Sequence, residues 1–554
     1  MKWFKKVLKG FGYFILTLLC LLFIFCVYVY NISDIPEPKI SDRAAEKLTC
    51  QVSDSNTVRI QSNWLHKNPQ GLYEMYIEGD GFERGVIFGK LAKDLVRFQE
   101  LAFTNEIQRM IPSPKYLKFL KYVVGFMNRD LADHVIDEYQ QEIYGVSLSA
   151  SQEFNWIGTN YTRQLNYHAA HDIGHALANM MLVGCTSFAT WGNRSVDSQL
   201  ILGRNFDFYV GDEFAKNKIV AFYKPTHGIP FMSVTWGGFT GVVSGMNQEG
   251  LTVTINANKS DIPTGAATPV SLVAREILQY ASNIDEAIII AKKRKMFVSE
   301  SFMVGSAKDN KAVVIEKTPN ELDVLYSRTE EILCTNHYQS KLLENQKLNV
   351  IQMYQSASMY RYARLKELLF SHPKNSPEIT AQILRDYKGE HNADIGLTNE
   401  KALNQFIAHH SIIFEPQKKL VWVSSAPWQL GEYVCYDLNK IFTTQPPNPG
   451  TVAQTNLNIP ADTILNTLTY KYIQQYLELE QKHIRHQDID PMMLISINPT
   501  YYDAYRIAGD VFAQRLNHQQ ASLMYQKALT CEIATLDEKE AIEEKLKKQQ
   551  SALK

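Results

Sequence analysis

Val183–Gly192 reads VGCTSFATWG, and Gly203–Phe208 reads GRNFDF. A cysteine becomes a useful nucleophile when a base takes its proton and something holds the resulting charge. The tripeptide Gly184-Cys185-Thr186 offers one way to supply that base. Cutting the chain before Cys185 frees its α-amino group, whose reference pKa is about 7.7–8.0. Gly184 has no side chain to hinder the cut. On this reading the residues before Cys185 are a prosegment and those after it are the working enzyme.

Outward from this stretch, the texture changes at Cys185. Beyond it, FATWG, LILGRNFDF, KIVAFYK, FMSVTW, GVVSGM, LTVTINA, SFMVGSA, KAVVIEK, LDVLYS and EILCTN are short β-type runs broken by Gly, Asn, Asp and Pro. One helix (SLVAREILQYASNIDEAIIIAKKR) interrupts them and another follows at SMYRYARLKELLF. The β texture returns in HSIIFEP, KLVWVSSA and EYVCYDL. Before Cys185, GLYEMYIEGDGFERGVIFGKLAKDLV reads as a strand, a Gly-rich turn and a helix. From Leu101 to Met181 apolar residues recur at helical spacing.

The chain has 554 residues and a net charge of −1, which argues against a broad nucleic-acid-binding face. Lys2, Lys5, Lys6 and Lys9 precede an uncharged run from Phe11 to Tyr30. As a helix that run is about 30 Å long, enough to cross a bilayer core. The lysines place the N-terminus in the cytoplasm and the remainder outside it. A cleaved signal peptide is the rival, but the run exceeds the usual ~7–15-residue apolar region and no A-x-A-like site follows. The expected organisation is a basic segment (1–10), a membrane anchor (11–30), a juxtamembrane linker with an opening strand (31–70), a prosegment (71–184), a catalytic domain (185–440), a Pro/Gly/Thr linker (441–458) and a helical tail (459–554). Within the tail, Tyr505, Ala508, Gly509, Phe512, Ala521, Tyr525 and Ala528 fit one tetratricopeptide repeat, although Ile533 stands where its proline belongs. A plain helical hairpin is the competing reading, and the tail is a candidate surface for a protein partner.

Seven cysteines are scattered without C-x-x-C spacing, so neither a zinc site nor a disulfide framework is indicated. By chemistry alone, Arg204 near a thiol would stabilise thiolate, and Asp207 near a free α-amine would hold it. The amides of Asn256 or Asn258, and of Asn336, are candidates to stabilise an oxyanion. His168, His171 and His175 share a helical face, yet no H-E-x-x-H is present and no metal is expected. Phe208, Tyr209, Trp236 and Phe239 could line an acyl pocket or simply belong to the core.

Taken in order, Cys185, Thr186, Arg204, Asn205 and Asp207, followed by GMNQEGLTVTINA, TNH, SMYRYARLKELL and HSIIFEP…LVWVSSAPW…YVCYDL, resemble the N-terminal-nucleophile (Ntn) hydrolases of the choloylglycine hydrolase and isopenicillin-N acyltransferase type. The EGDGFERGVIFG segment looks like the start of the acyltransferase prosegment, and the likeness spans Gly71 to Leu438. The resemblance implies an α+β fold of the four-layer αββα kind. It also implies self-cleavage between Gly184 and Cys185, with Cys185 as nucleophile and base, Asp207 orienting its amine and Arg204 beside the thiol. Asn256 would be an oxyanion donor, with Asn258 open because the register is off by one. Asn336 matches a second family asparagine, and the late family arginine maps to Arg361 or Arg364. The implied reaction is acyl transfer from a small N-acyl amide through a Cys185 thioester to water or an amine. No cofactor is expected, with acyl-CoA as the co-substrate of a transferase.

Two rivals stand beside this. One is an inactive hydrolase fold serving as a membrane-tethered scaffold through its tail. The other is a cysteine protease of the Cys–His kind, for which His337, His409 and His410 are available but not selected by spacing.

Overall fold

The computed structural model describes residues 2–169, 172, 184–209, 211–261 and 265–554. Each of the thirteen β-type runs after Cys185 is a strand. They divide between an eleven-stranded sheet and a six-stranded sheet. The smaller sheet runs Glu331–Cys334, Thr186–Thr190, Ile201–Phe206, His410–Glu415, Leu420–Ser424, Tyr433–Asp437, with every pair antiparallel.

Period-two alternation sends successive side chains to opposite faces of this sheet. Leu202, Ile412, Val421 and Val434 pack with Val220, Met232, Met303 and Val314 of the larger sheet. Their neighbours Ile201, Ile413, Trp422 and Cys435 pack with Leu365, Leu369, Ala381 and Leu384 from the helices Ser358–Ser371 and Pro377–Leu384. A third core joins the larger sheet to helices that include Gly81–Leu91, Asp137–Ser147 and Val270–Tyr280. The single helix expected over 271–294 is two, Val270–Tyr280 and Ile284–Lys293. The break is an N-cap: the Asn283 side chain accepts from Glu286 N, and Ser282 N donates back to the Glu286 carboxylate at 2.7 Å.

Four strands before Cys185 are built into the larger sheet. Three strands (Gln51–Asp54, Thr57–Ile60, Asn63–Lys67) stand within residues 31–70, where a linker with one opening strand is expected, and Tyr73–Gly79 follows. Tyr73–Gly79 pairs parallel with Ile219–Pro225, from the other side of Cys185. Charge reinforces the join. The buried Arg84 guanidinium lies 2.7 Å from both Glu138 and Glu142, and Glu142 is also 3.2 Å from Arg275. The helices Gly81–Leu91 and Asp137–Ser147 approach closely enough that a Cβ on Gly85 would fall 1.9 Å from the Glu142 carbonyl oxygen.

At the N-terminus, Trp3–Ile32 is a single helix long and apolar enough to be a membrane span or a signal sequence. At the other end, five helices from Leu468 to Ala552 share their own apolar core. Their contacts with the rest of the chain include Asn498, which exchanges hydrogen bonds with Leu397 at 2.9 Å, Gln481, which donates to the Tyr209 hydroxyl at 3.2 Å, and Ile473, which packs with Phe406 and Leu430.

Candidate active site

The antiparallel register Ser187↔Arg204 and Thr186↔Asn205 brings the VGCTSFATWG and GRNFDF stretches side by side. Cys185 stands just before its strand and Asp207 just after the partner strand. Gly184 N donates to the Asp207 carbonyl oxygen at 3.0 Å. The Cys185 sulfur lies 3.9 Å from the same oxygen, and Arg204 Nη2 reaches the sulfur at 3.6 Å. The arginine is held by Val243 O at 3.0 Å, by Ser244 Oγ at 2.5 Å and by Ile255 O, and it lies over the Phe206 ring.

Burial raises the Cys185 thiol above its ordinary pKa, and the Arg204 charge works against that rise. Burial likewise lifts the Asp207 carboxyl to about 7, partly offset by Arg361 and Arg204. Both Asp207 carboxylate oxygens are buried without a hydrogen-bond partner. A desolvated carboxylate in that condition is unfavourable unless a cation or donor arrives.

Arg361 and Arg364 separate cleanly. Arg361 Nη1 donates to the Cys185 carbonyl oxygen at 2.7 Å and to Thr186 Oγ1 at 3.0 Å, while its Nη2 donates to Asn336 Oδ1 at 2.7 Å. Arg364 instead forms a fork with Asp386, both bonds 2.9 Å. The asparagine amides are engaged with neighbours. Asn256 Nδ2 donates to Cys334 O and Thr335 O, each at 3.1 Å, and its Oδ1 accepts from Ser187 at 2.7 Å. Asn258 donates to Ser301 Oγ at 2.7 Å, and Asn336 to Ala257 O at 2.8 Å.

The histidines lie elsewhere. His410 Nε2 meets Ser244 Oγ at 2.9 Å, and His409 pairs with His410 at 2.9 Å, so both stand behind Arg204. His337 is taken up by Thr335 and Ser358. Burial pushes all three well toward the neutral form. Among the described residues, Arg204 is the basic side chain within hydrogen-bond reach of the sulfur. His168 is buried between Gln164 O at 2.8 Å and Thr240 N at 2.9 Å, while His171 and His175 lie outside the described residues. Among the described residues no group of three metal-binding side chains gathers.

A family profile described as acyl-coenzyme A:6-aminopenicillanic acid acyl-transferase matches residues 194–427. That span carries Arg204, Asp207, Asn256, Asn336 and Arg361 and begins after Cys185. Over that span the chain is similar to this acyl-transferase family. Curated relatives include an N-acylethanolamine-hydrolyzing acid amidase of Caenorhabditis elegans, 24% identical over 38% of this chain and 59% of the relative. An uncharacterized Archaeoglobus fulgidus protein is 24% identical over 46% of this chain and 45% of its own length. The Dictyostelium discoideum protein dcd1B is 21% identical over 74% and 80%. The chain thus spans about half the length of the first two. Among solved structures, a C. elegans ortholog of that amidase aligns at 18% identity and a TM-score of 0.31, covering 42% of this chain and 93% of the other. A conjugated bile acid hydrolase from Clostridium perfringens aligns at 13% and 0.31, covering 46% and 93%.

One contact at the Gly184–Cys185 bond was not legible in the sequence. Gln405 Nε2 donates to the Gly184 carbonyl oxygen at 3.1 Å. Gln405 lies in an irregular stretch without periodicity, so only the tertiary fold selects it.

Proposed function

We propose that this chain is a membrane-anchored cysteine amidohydrolase or acyltransferase that cuts itself before Cys185 and then works through a thioester on that residue. The observation that carries the reading is the Asp207 carboxylate, buried with both oxygens unpartnered, in a residue whose backbone already holds Gly184 at 3.0 Å. Cleavage would turn the Cys185 amide nitrogen into an amine, which as ammonium offers that carboxylate a charge partner.

In turnover the free amine takes the Sγ proton, with Arg204 at 3.6 Å stabilising the thiolate. Sulfur attacks the acyl carbon of an N-acyl amide, the C–N bond breaks, and the departing amine takes the proton. Water then gives hydrolysis, or a second amine gives acyl transfer; with acyl-CoA as donor, the thiol of coenzyme A leaves instead. Asn256, Asn258 and Asn336 remain candidate oxyanion donors, and each must break its present hydrogen bonds for the amide to turn.

An aromatic cavity of about 40 Å³ supports an apolar acyl group. Phe208, Phe214, Trp236 and Phe239, which follow Cys185 in sequence, line it with Phe103 and Tyr167, which precede it, and with the polar Gln99, Glu100 and Gln164. At about 10–15 Å³ per water-sized occupant it is small in the uncut chain, so an acyl chain requires it to widen. We further read the three cores as an αββα sandwich, the N-terminal helix as an anchor with a cytoplasmic N-terminus, and the tail as a tetratricopeptide-like hairpin. In the tail, a Cβ on Gly509 would meet Tyr525 at 2.5 Å, the close small-to-aromatic packing that such a repeat uses.

The test is to incubate the purified protein with a panel of N-acyl amides, quench in acid and map adducts by peptide mass spectrometry. An acyl mass on the Cys185 peptide, discharged by water or an added amine, supports the reading. Turnover without any such adduct, undiminished in Cys185→Ala, contradicts it.

A further inference from the structure

Self-cleavage demands something that turnover does not: a donor for the oxygen of the chain's own Gly184 carbonyl. The peptide bond there is fixed from several directions. Gly184 N donates to Asp207 O at 3.0 Å, and the Cys185 carbonyl accepts from Arg361 at 2.7 Å. The Gly184 carbonyl oxygen itself accepts from Gln405 Nε2 at 3.1 Å, with Gln405 buried at 2% exposure. None of the three candidate asparagines makes this contact: Asn256 is bonded to Cys334 and Thr335, Asn258 to Ser301, and Asn336 to Ala257.

The fit is also selective. A Cβ at Gly184 would lie 2.2 Å from Gln405 Nε2 and 2.6 Å from its Oε1, distances that a side chain could not occupy without displacing the carboxamide. The glycine and the glutamine are therefore one device. The small residue lets the amide close on the carbonyl oxygen, the atom where negative charge develops when sulfur attacks.

We propose that Gln405 is the oxyanion donor of the self-cleavage step, a catalytic role separate from the donors used on external substrates, and that its packing is what requires glycine at 184. The proposal rests on the self-cleavage reading above. The Cys185 sulfur attacks the Gly184 carbonyl carbon, forming the C–S bond, and the carbonyl oxygen takes up the charge opposite Gln405. The C–N bond then breaks, and the thiol proton ends on the new Cys185 amine. Water hydrolyses the resulting thioester, giving a Gly184 carboxyl and restoring the thiol. Loss of one preorganised oxyanion donor typically costs about 10²–10³ in rate.

The test uses the full-length chain synthesised cell-free into liposomes and chased over time, with fragment appearance read on gels. Gln405→Glu keeps the size and removes the N–H donor; Gly184→Ala leaves the glutamine intact but pushes it away. Both are expected to slow fragment appearance by about 10²–10³. Neutral hydroxylamine, which cleaves thioesters, should not restore the rate of Gln405→Glu, because the thioester itself forms slowly. Melting of Cys185→Ala and Cys185→Ala/Gln405→Glu, which cannot cut, should match. Cleavage of Gln405→Glu near the wild-type rate, or its full rescue by hydroxylamine, overturns the proposal and leaves self-cleavage standing. Slow cleavage accompanied by loss of the folded precursor assigns Gln405 a structural role and also overturns it. A wild-type chain that stays whole sinks the self-cleavage reading, and this proposal with it.

Discussion

Arg204 Nη2 stands 3.6 Å from the Cys185 sulfur, carried there by the antiparallel register in which Ser187 faces Arg204. Burial opposes ionisation of this thiol and the guanidinium favours it. Removing the arginine should therefore move thiol reactivity to higher pH. Iodoacetamide alkylation of the processed protein, followed against pH, should show the midpoint rising by roughly one to three pH units in Arg204→Ala. An unchanged midpoint would remove Arg204 from any role in holding the thiolate.

The Asp207 carboxyl is raised to about 7 by burial, above its value in an unfolded chain. The folded precursor therefore binds this proton more tightly than the unfolded chain does. Its stability contribution is fully present below about pH 4 and falls as pH rises toward 7, by roughly 1.4 kcal/mol for each pH unit between those limits. In the uncut Cys185→Ala background, Asp207→Asn should flatten that decline in urea unfolding measured across this range. Glu74, also lifted to about 7, adds a decline of the same sign that the substitution leaves in place. Identical pH profiles with and without Asp207 would contradict the desolvated-carboxylate account.

The parallel pairing of Tyr73–Gly79 with Ile219–Pro225, and the Arg84–Glu142–Arg275 cluster, join the two sides of Cys185. Cleavage should thus leave two fragments that co-purify. Glu142→Ala strips two buried guanidinium groups of a shared partner and should destabilise the protein by about 3–5 kcal/mol. Urea unfolding of the Cys185→Ala chain measures this; a loss below about 1 kcal/mol would show that the cluster does not hold the halves.

Much of this site is legible in the sequence. GRNFDF, at the end of a β-type run, already pairs an arginine and an aspartate with the earlier cysteine. The choice between Arg361 and Arg364 could not be made from sequence. The two are three residues apart on one helix and point to the same side. Only packing sends the first to the Cys185 carbonyl and the second to Asp386. Gln405 was invisible for a related reason. It follows no helix or strand period, and its contact with Gly184 is closed by chain segments far apart in sequence. The strands from Gln51 to Lys67 were masked by the Pro- and Asp-bearing composition around them, although TVRI and NWLHK are β-type once paired.

The helix Trp3–Ile32 is wholly exposed over its apolar window. As an anchor, it should keep the full chain in the membrane pellet through alkaline carbonate extraction, while a chain beginning at residue 33 should be released and still be cut. Recovery of the intact chain in the supernatant, lacking its first residues, would identify a removed signal sequence instead.

The most direct test of the account is the N-terminal sequence of the fragments formed by the purified wild-type chain. The account requires a new terminus reading Cys-Thr-Ser from Cys185, absent in Cys185→Ala. A chain that stays whole while hydrolysing amides in a Cys185-dependent way would contradict it.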